Sequence, residues 1–221
     1  MTNNVLITAA TVREMECFEK LQVKMTKTGI AKLVTGIGPV ATVYAIMNYL
    51  AGKNKPDLLI NIGIAGSFRK NLTSGSVVVP LTDCFADLGV CDGRQYIPLD
   101  RAGIDIKDDY TPSGNYYADR DRVKRIGQGI TPVKAVTVCT ATGSLETREA
   151  LKSEYNPDIE TMEGASAYYV SNREGISCIG IRAVSNMVGP RDISSWDVDL
   201  ALDRLSDALS IYLNDILHEN S

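Results

Sequence analysis

Short apolar runs alternate with longer amphipathic ones along most of this chain. Apolar or β-branched stretches at 5–8, 32–35, 58–62, 76–79, 133–139 and 176–182 read as strands. Several lack polar alternation, as strands covered on both faces do. Between them, 39–51, 145–154, 162–173 and 199–217 carry helical spacing. In the last, Ala201, Leu205, Ala208, Leu209, Tyr212, Leu213 and Ile216 recur along one face, the stripe of a helix lying across a sheet. The alternation predicts a three-layer α/β/α fold with a central, mostly parallel but mixed sheet. At about 150 residues per domain, the 221 residues form a single domain, 1–221. Residues 89–119 dissolve into Gly, Pro, Asp and Tyr. A stretch this long without periodicity points to a binding loop or an arm against another subunit.

Composition narrows the chemistry. The formal net charge is −4, and basic residues are interrupted by acids, as in Asp119-Arg120-Asp121-Arg122, so neither nucleic acid nor an anionic membrane is an expected partner. The apolar run at 5–7 is soon followed by Arg13 and Glu14 and is expected to be a first strand, not a signal peptide or membrane span. The sole histidine is His218, which removes Ser-His-Asp and Cys-His nucleophiles and histidine-based zinc sites. Carboxylates and amides must do the work, with no metal or cofactor expected. Cys17, Cys84, Cys91, Cys139 and Cys178 contain no C-x-x-C pair, and a reduced, cytoplasmic setting fits that pattern.

Four motifs carry candidate chemistry. Gly36-Ile37-Gly38-Pro39-Val40-Ala41 superficially matches a dinucleotide fingerprint. The acid such a site needs belongs at the end of a second strand, whereas Asp57 precedes its strand. An oxidoreductase is therefore a remote reading, and a tight strand-to-helix turn with Pro39 at the first helical position is the better one. Asn61-Ile62-Gly63-Ile64-Ala65-Gly66-Ser67 is expected to be a glycine turn at a strand's carboxyl end, where ligands of open α/β sheets sit. Thr161-Met162-Glu163-Gly164-Ala165 opens a helix; the helix dipole favours an acid there whatever it binds. Arg182-Ala183-Val184-Ser185-Asn186 leaves a buried strand with a charge and an amide, the composition of a site more than of a core.

Taken in order, a first strand ending in Ala9-Ala10 with Glu14 beyond it, then the Gly36 and Asn61 motifs, then Thr161–Ala165 and Arg182–Asn186, the chain resembles the purine nucleoside phosphorylase and nucleosidase superfamily from about Val5 to Leu209. Within it the resemblance is closest to the futalosine hydrolase family, through Phe85-Ala86-Asp87-Leu88-Gly89, Asp92-Gly93, Asn186 and the loop Gly189-Pro190-Arg191-Asp192-Ile193-Ser194-Ser195-Trp196. The related methylthioadenosine/S-adenosylhomocysteine nucleosidases carry an aspartate where this chain has Asn186, and usually an aromatic residue after the strand that here ends in Cys139-Thr140-Ala141-Thr142-Gly143-Ser144.

The resemblance implies cleavage of a purine N-glycosidic bond in a homodimer or larger assembly. It puts Glu14 beside the attacking water as general base, Glu163 on the ribose hydroxyls with Met162 beside it, Ala65 and Gly66 along the substrate, and Asn186 at the base. Arg182 either orients Glu163 or the water, or is paired for structure. A 6-oxopurine presents two acceptors, N7 and O6, whereas adenine presents an acceptor and a donor. An asparagine can donate to O6 and accept the N7 proton, so hypoxanthine is the expected leaving base. Phosphorylases of the superfamily hold phosphate with arginines near the glycine turns. Ile37 and Ile64 stand there, with Arg69 just beyond, which favours water as nucleophile. Arg191, Arg94 and Arg101 are candidates for the benzoate end of futalosine, and Trp196 either covers its ring or anchors the last helix.

Overall fold

The three most apolar runs become the three central strands, and everything else is arranged to cover them. The computed structural model describes residues 4–19, 29–52, 55–93, 95–106, 108, 110–126 and 130–218; Arg94 lies outside them. The strands are β1 (Val5–Ala9), β2 (Ile30–Val34), β3 (Leu58–Ser67), β4 (Val77–Asp83), β5 (Gly89–Asp92), β6 (Gln95–Pro98), β7 (Tyr116–Tyr117), β8 (Thr131–Thr137), β9 (Ile159–Thr161) and β10 (Ser177–Met187). The α-helices are α1 (Val12–Glu19), α2 (Pro39–Gly52), α3 (Arg120–Lys124), α4 (Leu145–Tyr155), α5 (Gly164–Glu174) and α6 (Val198–His218).

Strand β3 lies between β1 and β10, parallel to both, and β2 extends the sheet beyond β1. On the other side β10 pairs antiparallel with β4, β4 parallel with β8, β8 parallel with β9, and β9 antiparallel with the end of β3. Half of the sheet therefore closes on itself. Helices α1 and α6 cover one face, where Met15, Phe18, Leu205, Leu209 and Tyr212 meet Ile7, Ile60 and Ile179. Helices α2 and α5 cover the other, where Ile46, Ala167 and Tyr168 meet Leu6, Leu59 and Cys178. This is the three-layer α/β/α architecture with a mostly parallel, mixed sheet. Among the described residues, no helix is long and apolar enough to cross a membrane.

Local sequence signals match the structure where burial or an unusual backbone angle enforces them. The stripe of α6 is buried from Ala201 to Leu213, and Pro39 opens α2 after Gly36 and Gly38, both at positive φ. Two expectations require correction. Asn61–Ser67 is not a turn, and Arg182–Asn186 does not leave its strand: β3 and β10 run on to Ser67 and Met187, pairing along that length. The glycines read as punctuation because they lack side chains, but a neighbouring strand outweighs that local signal. The 89–119 segment contains the β5–β6 hairpin, a 3₁₀ turn at Leu99–Arg101 and β7. The helix expected from 162 begins at Gly164, with Glu163 at its N-cap.

Candidate active site

Glu14 is held by a device visible in the residues Thr11-Val12-Arg13-Glu14. The Glu14 amide donates to Thr11 Oγ1 at 3.2 Å, and Glu14 Oε2 accepts from the Thr11 amide at 3.0 Å and its hydroxyl at 2.8 Å. This reciprocal capping box starts α1. The other oxygen, Oε1, accepts from the Ile64 amide of β3 at 3.1 Å. A side chain at position 63 would collide with it: a Cβ there would stand 2.7 Å from Glu14 Oε1. Gly63 is required for this approach and not for a turn.

Arg182 pairs with Gly63 across β10 and β3 and is 2% exposed. Its Nη1 donates to the Asn61 carbonyl at 2.5 Å and to that of Ile181 at 3.2 Å, and Nη2 donates to Asn61 Oδ1. Asn61 in turn donates to Thr8 Oγ1 at 3.0 Å. The guanidinium is thus a fixed cation with Nε unpartnered. Glu163 projects from the head of α5, and its Oε1 accepts from the Gly38 amide at 2.8 Å. That N–H therefore meets a carboxylate of the chain itself, which removes the dinucleotide reading of the Gly36 motif. Burial pushes the Glu163 carboxyl up, opposed by the Gly38 N–H and Arg182 and reinforced by Glu14. Two glutamates and one arginine thus share one electrostatic neighbourhood.

Asn186 lies farther along the same strand pair, opposite Gly66. At about 3.3 Å per residue, that is roughly 10 Å beyond the Arg182–Gly63 pair, the span from a ribose to the far edge of its base. A register shift between Val184 and Asn186 turns the side chain, a usual effect of a bulge. Ser185 Oγ donates to Asn186 Oδ1 at 2.8 Å, and Asn186 Nδ2 donates to the Met187 carbonyl at 3.0 Å. One N–H and one lone pair remain for a ligand. Gly66 allows this packing, since a Cβ there would come within 2.8 Å of Val188 Cγ2 and 3.5 Å of Asn186 Nδ2. Ala65 is buried, next to the Gly66–Asn186 pair. Met162 is half-buried beside Glu163.

Around this line, Arg69 is bound to Asp158 at 3.2 Å, and Arg101 is paired with Glu154. The Arg191 guanidinium lies 6.0 Å from the Trp196 ring centre. A cavity of about 280 Å³ lined by Cys84, Phe85, Arg101 and Lys134 contains none of Glu14, Glu163, Arg182 and Asn186. Thr11 and the buried Asp83 lie outside the motifs singled out in the sequence, while Gly38 and Asn61 belong to two of them without an assigned role. Thr11 had a local signature, the T-x-x-E spacing; Asp83 had none.

The chain belongs to the phosphorylase superfamily, whose family model matches residues 9–218. Within that class its relatives include futalosine hydrolases. It is 32% identical over 183 residues to that of Streptomyces coelicolor, covering 80% of this chain and 75% of that one. It is 31% identical over 190 residues to that of Acidothermus cellulolyticus, covering 80% and 72%. In structure it is similar to the native futalosine hydrolase of Helicobacter pylori, with a TM-score of 0.80 over 99% of both chains at 16% identity. It is similar also to the 5′-methylthioadenosine/S-adenosylhomocysteine nucleosidase of S. pneumoniae, with a TM-score of 0.78 over 96% of this chain and 99% of that one at 21% identity. These two likenesses establish the fold.

Proposed function

We propose that this protein hydrolyses the N-glycosidic bond of futalosine, releasing hypoxanthine and dehypoxanthine futalosine on the futalosine route to menaquinone. The observation that carries the reading is Asn186, an amide with one free N–H and one free lone pair about 10 Å along β3 and β10 from the Arg182–Gly63 pair. Futalosine hydrolase relatives support the same substrate.

In this reading water attacks C1′ of the ribose while the bond to the purine breaks and its electron pair leaves with the base. Glu14 takes the water's proton; its bonds to Thr11 and Ile64 hold it at the cleft wall. Glu163 accepts from the ribose hydroxyls, and its negative charge suits an oxocarbenium-like transition state. Asn186 donates to O6 and accepts a hydrogen bond from N7–H, where the departing base takes a proton from solvent. Arg182, with both terminal nitrogens committed, acts through the field it exerts on Glu163. An aspartate at 186 would set lone pairs against O6, at about 1–3 kcal/mol. The Arg69–Asp158 pair supports water over phosphate as nucleophile. Arg191 beside Trp196 is the best candidate for the benzoate end.

The enzyme acts as a homodimer or larger assembly. Exposed Ile37, Val40, Tyr44 and Met47 along the start and outer face of α2, with Val90, Ile104 and Tyr110 in the 89–119 segment, support this. The free thiols support a reducing, cytoplasmic setting. The test is incubation with futalosine, inosine and methylthioadenosine in phosphate-free buffer, following free base by chromatography. Hypoxanthine from futalosine is expected; faster release of adenine from methylthioadenosine overturns the reading. Light scattering that returns the 24.0 kDa of one chain overturns the assembly.

A further inference from the structure

Helix α5 begins without help from the side chain at its N-cap. Glu163 makes no capping bond; its carboxylate faces the Gly38 amide instead. The first helix amides are satisfied by two threonines: Gly164 N–H donates to Thr161 Oγ1 at 3.3 Å, and Ala165 N–H to Thr137 Oγ1 at 2.8 Å. The two hydroxyls are 3.0 Å apart, and Thr137 Oγ1 donates to Asp83 Oδ1 at 3.0 Å. A hydroxyl has one proton to give, so Thr137, bonded to Asp83, must receive the proton of Thr161. The chain runs one way, from helix amides through two hydroxyls to a carboxylate at the end of β4. Asp83 is fully buried, its Oδ2 has no partner, and it presses against Gly164, where any Cβ would collide with Oδ2. Burying such a group costs heavily unless a helix N-terminus or a cation compensates; α5 and Arg182 supply both.

We propose that Asp83 is a positioning residue for hydrolysis: through Thr137 and Thr161 it takes over the capping of α5 and leaves the Glu163 carboxylate free to hold the ribose. The inference rests on the reading of Glu163 given above. Capping by Glu163 itself would turn its carboxylate back onto the helix amides and away from the cleft. The charged and titratable groups around Asp83 are Arg182 of β10, Glu163 and Tyr168 at and within α5, and the adjoining Cys84. Burial pushes Asp83 up to about 7 against the pull of Thr137 and Arg182, so its charge responds within the working range of an enzyme.

The test is a double-mutant cycle on futalosine hydrolysis. Asp83→Asn removes the charge that orients the two hydroxyls; it is expected to lower kcat at least tenfold with KM within threefold, and to cost little more once Glu163→Gln is present. Thr137→Val breaks the same chain and should reproduce the loss, while Thr137→Ser, which keeps the hydroxyl, restores kcat to within threefold of the parent. If Asp83→Asn does not fold, Thr137→Val carries the cycle. Equal losses with and without Glu163→Gln, or an unchanged kcat, overturn the positioning role alone. Full turnover by Glu163→Gln overturns the reading of Glu163, and the role of Asp83 with it.

Discussion

Replacing Gly63 by alanine adds one methyl group and tests where the general base stands. Gly63 lies within β3 and is not at positive φ, so the alanine backbone is unstrained. By itself such a change stabilises by about 0.4–1 kcal/mol through the unfolded chain. The new Cβ would stand 2.7 Å from Glu14 Oε1, against an ordinary contact of 3.4 Å or more. The carboxylate must retreat by about 0.7 Å, stretching its 3.1 Å bond from the Ile64 amide toward the limit of hydrogen bonding. Loss of a hydrogen bond to a charged group costs about 1.5–3 kcal/mol, so the net destabilisation is about 1–2 kcal/mol and the fold survives. Catalysis is more sensitive, because a 1 Å misplacement costs about 100-fold; kcat for futalosine should fall roughly 10- to 100-fold. KM should change little, since Asn186 and Glu163 are untouched. Chromatographic release of hypoxanthine and thermal melting give both numbers. A folded variant with kcat within twofold of the parent would refute the placement of Glu14 as base.

Other outcomes follow from the same geometry. Glu14→Gln retains an oxygen for the capping box and should melt within a few degrees of the parent, while kcat falls by about 10²–10⁴, the usual worth of a general base. Asn186→Asp should lower kcat/KM for futalosine roughly 5- to 150-fold, the equivalent of about 1–3 kcal/mol, with a smaller loss or a gain on methylthioadenosine; equal losses on both would contradict the role at O6. Asp83 binds its proton more tightly in the fold, near 7, than an ordinary aspartate near 3.8. Its contribution is therefore most favourable below the lower value and is lost as pH rises through the upper one, on the order of a few kcal/mol. Melting from pH 8 to pH 6 should show stability increasing on acidification, and Asp83→Asn should reduce that gain.

The layers were legible in the residues because the central strands are buried on both faces and α6 carries an uninterrupted stripe. Glu14, Glu163 and Asn186 stood out as candidates because each belongs to a short motif and the motifs keep their order along the chain. Helix α1 was missed because its eight residues are too few for periodicity, although its capping box was in view. The reach of β3 and β10 was missed because Gly63 and Gly66 look like turn residues until the parallel partner is known. Asp83 was missed for a deeper reason: its partners Thr137, Thr161 and Gly164 lie 54 or more positions away, and closure of the sheet brings them together.

The capping box on Glu14 separates what its presence signifies from what Glu163 signifies. Glu14 both starts α1 and faces the cleft, so a descendant that had lost all activity would still be under pressure to keep it for folding. Glu163 makes no capping bond in its own helix, and its bond from the Gly38 amide would serve equally with a glutamine; only the proposed chemistry calls for the charge. Among divergent copies of this chain, a glutamate at 163 would therefore mark working enzymes, and one at 14 would mark only an intact first helix.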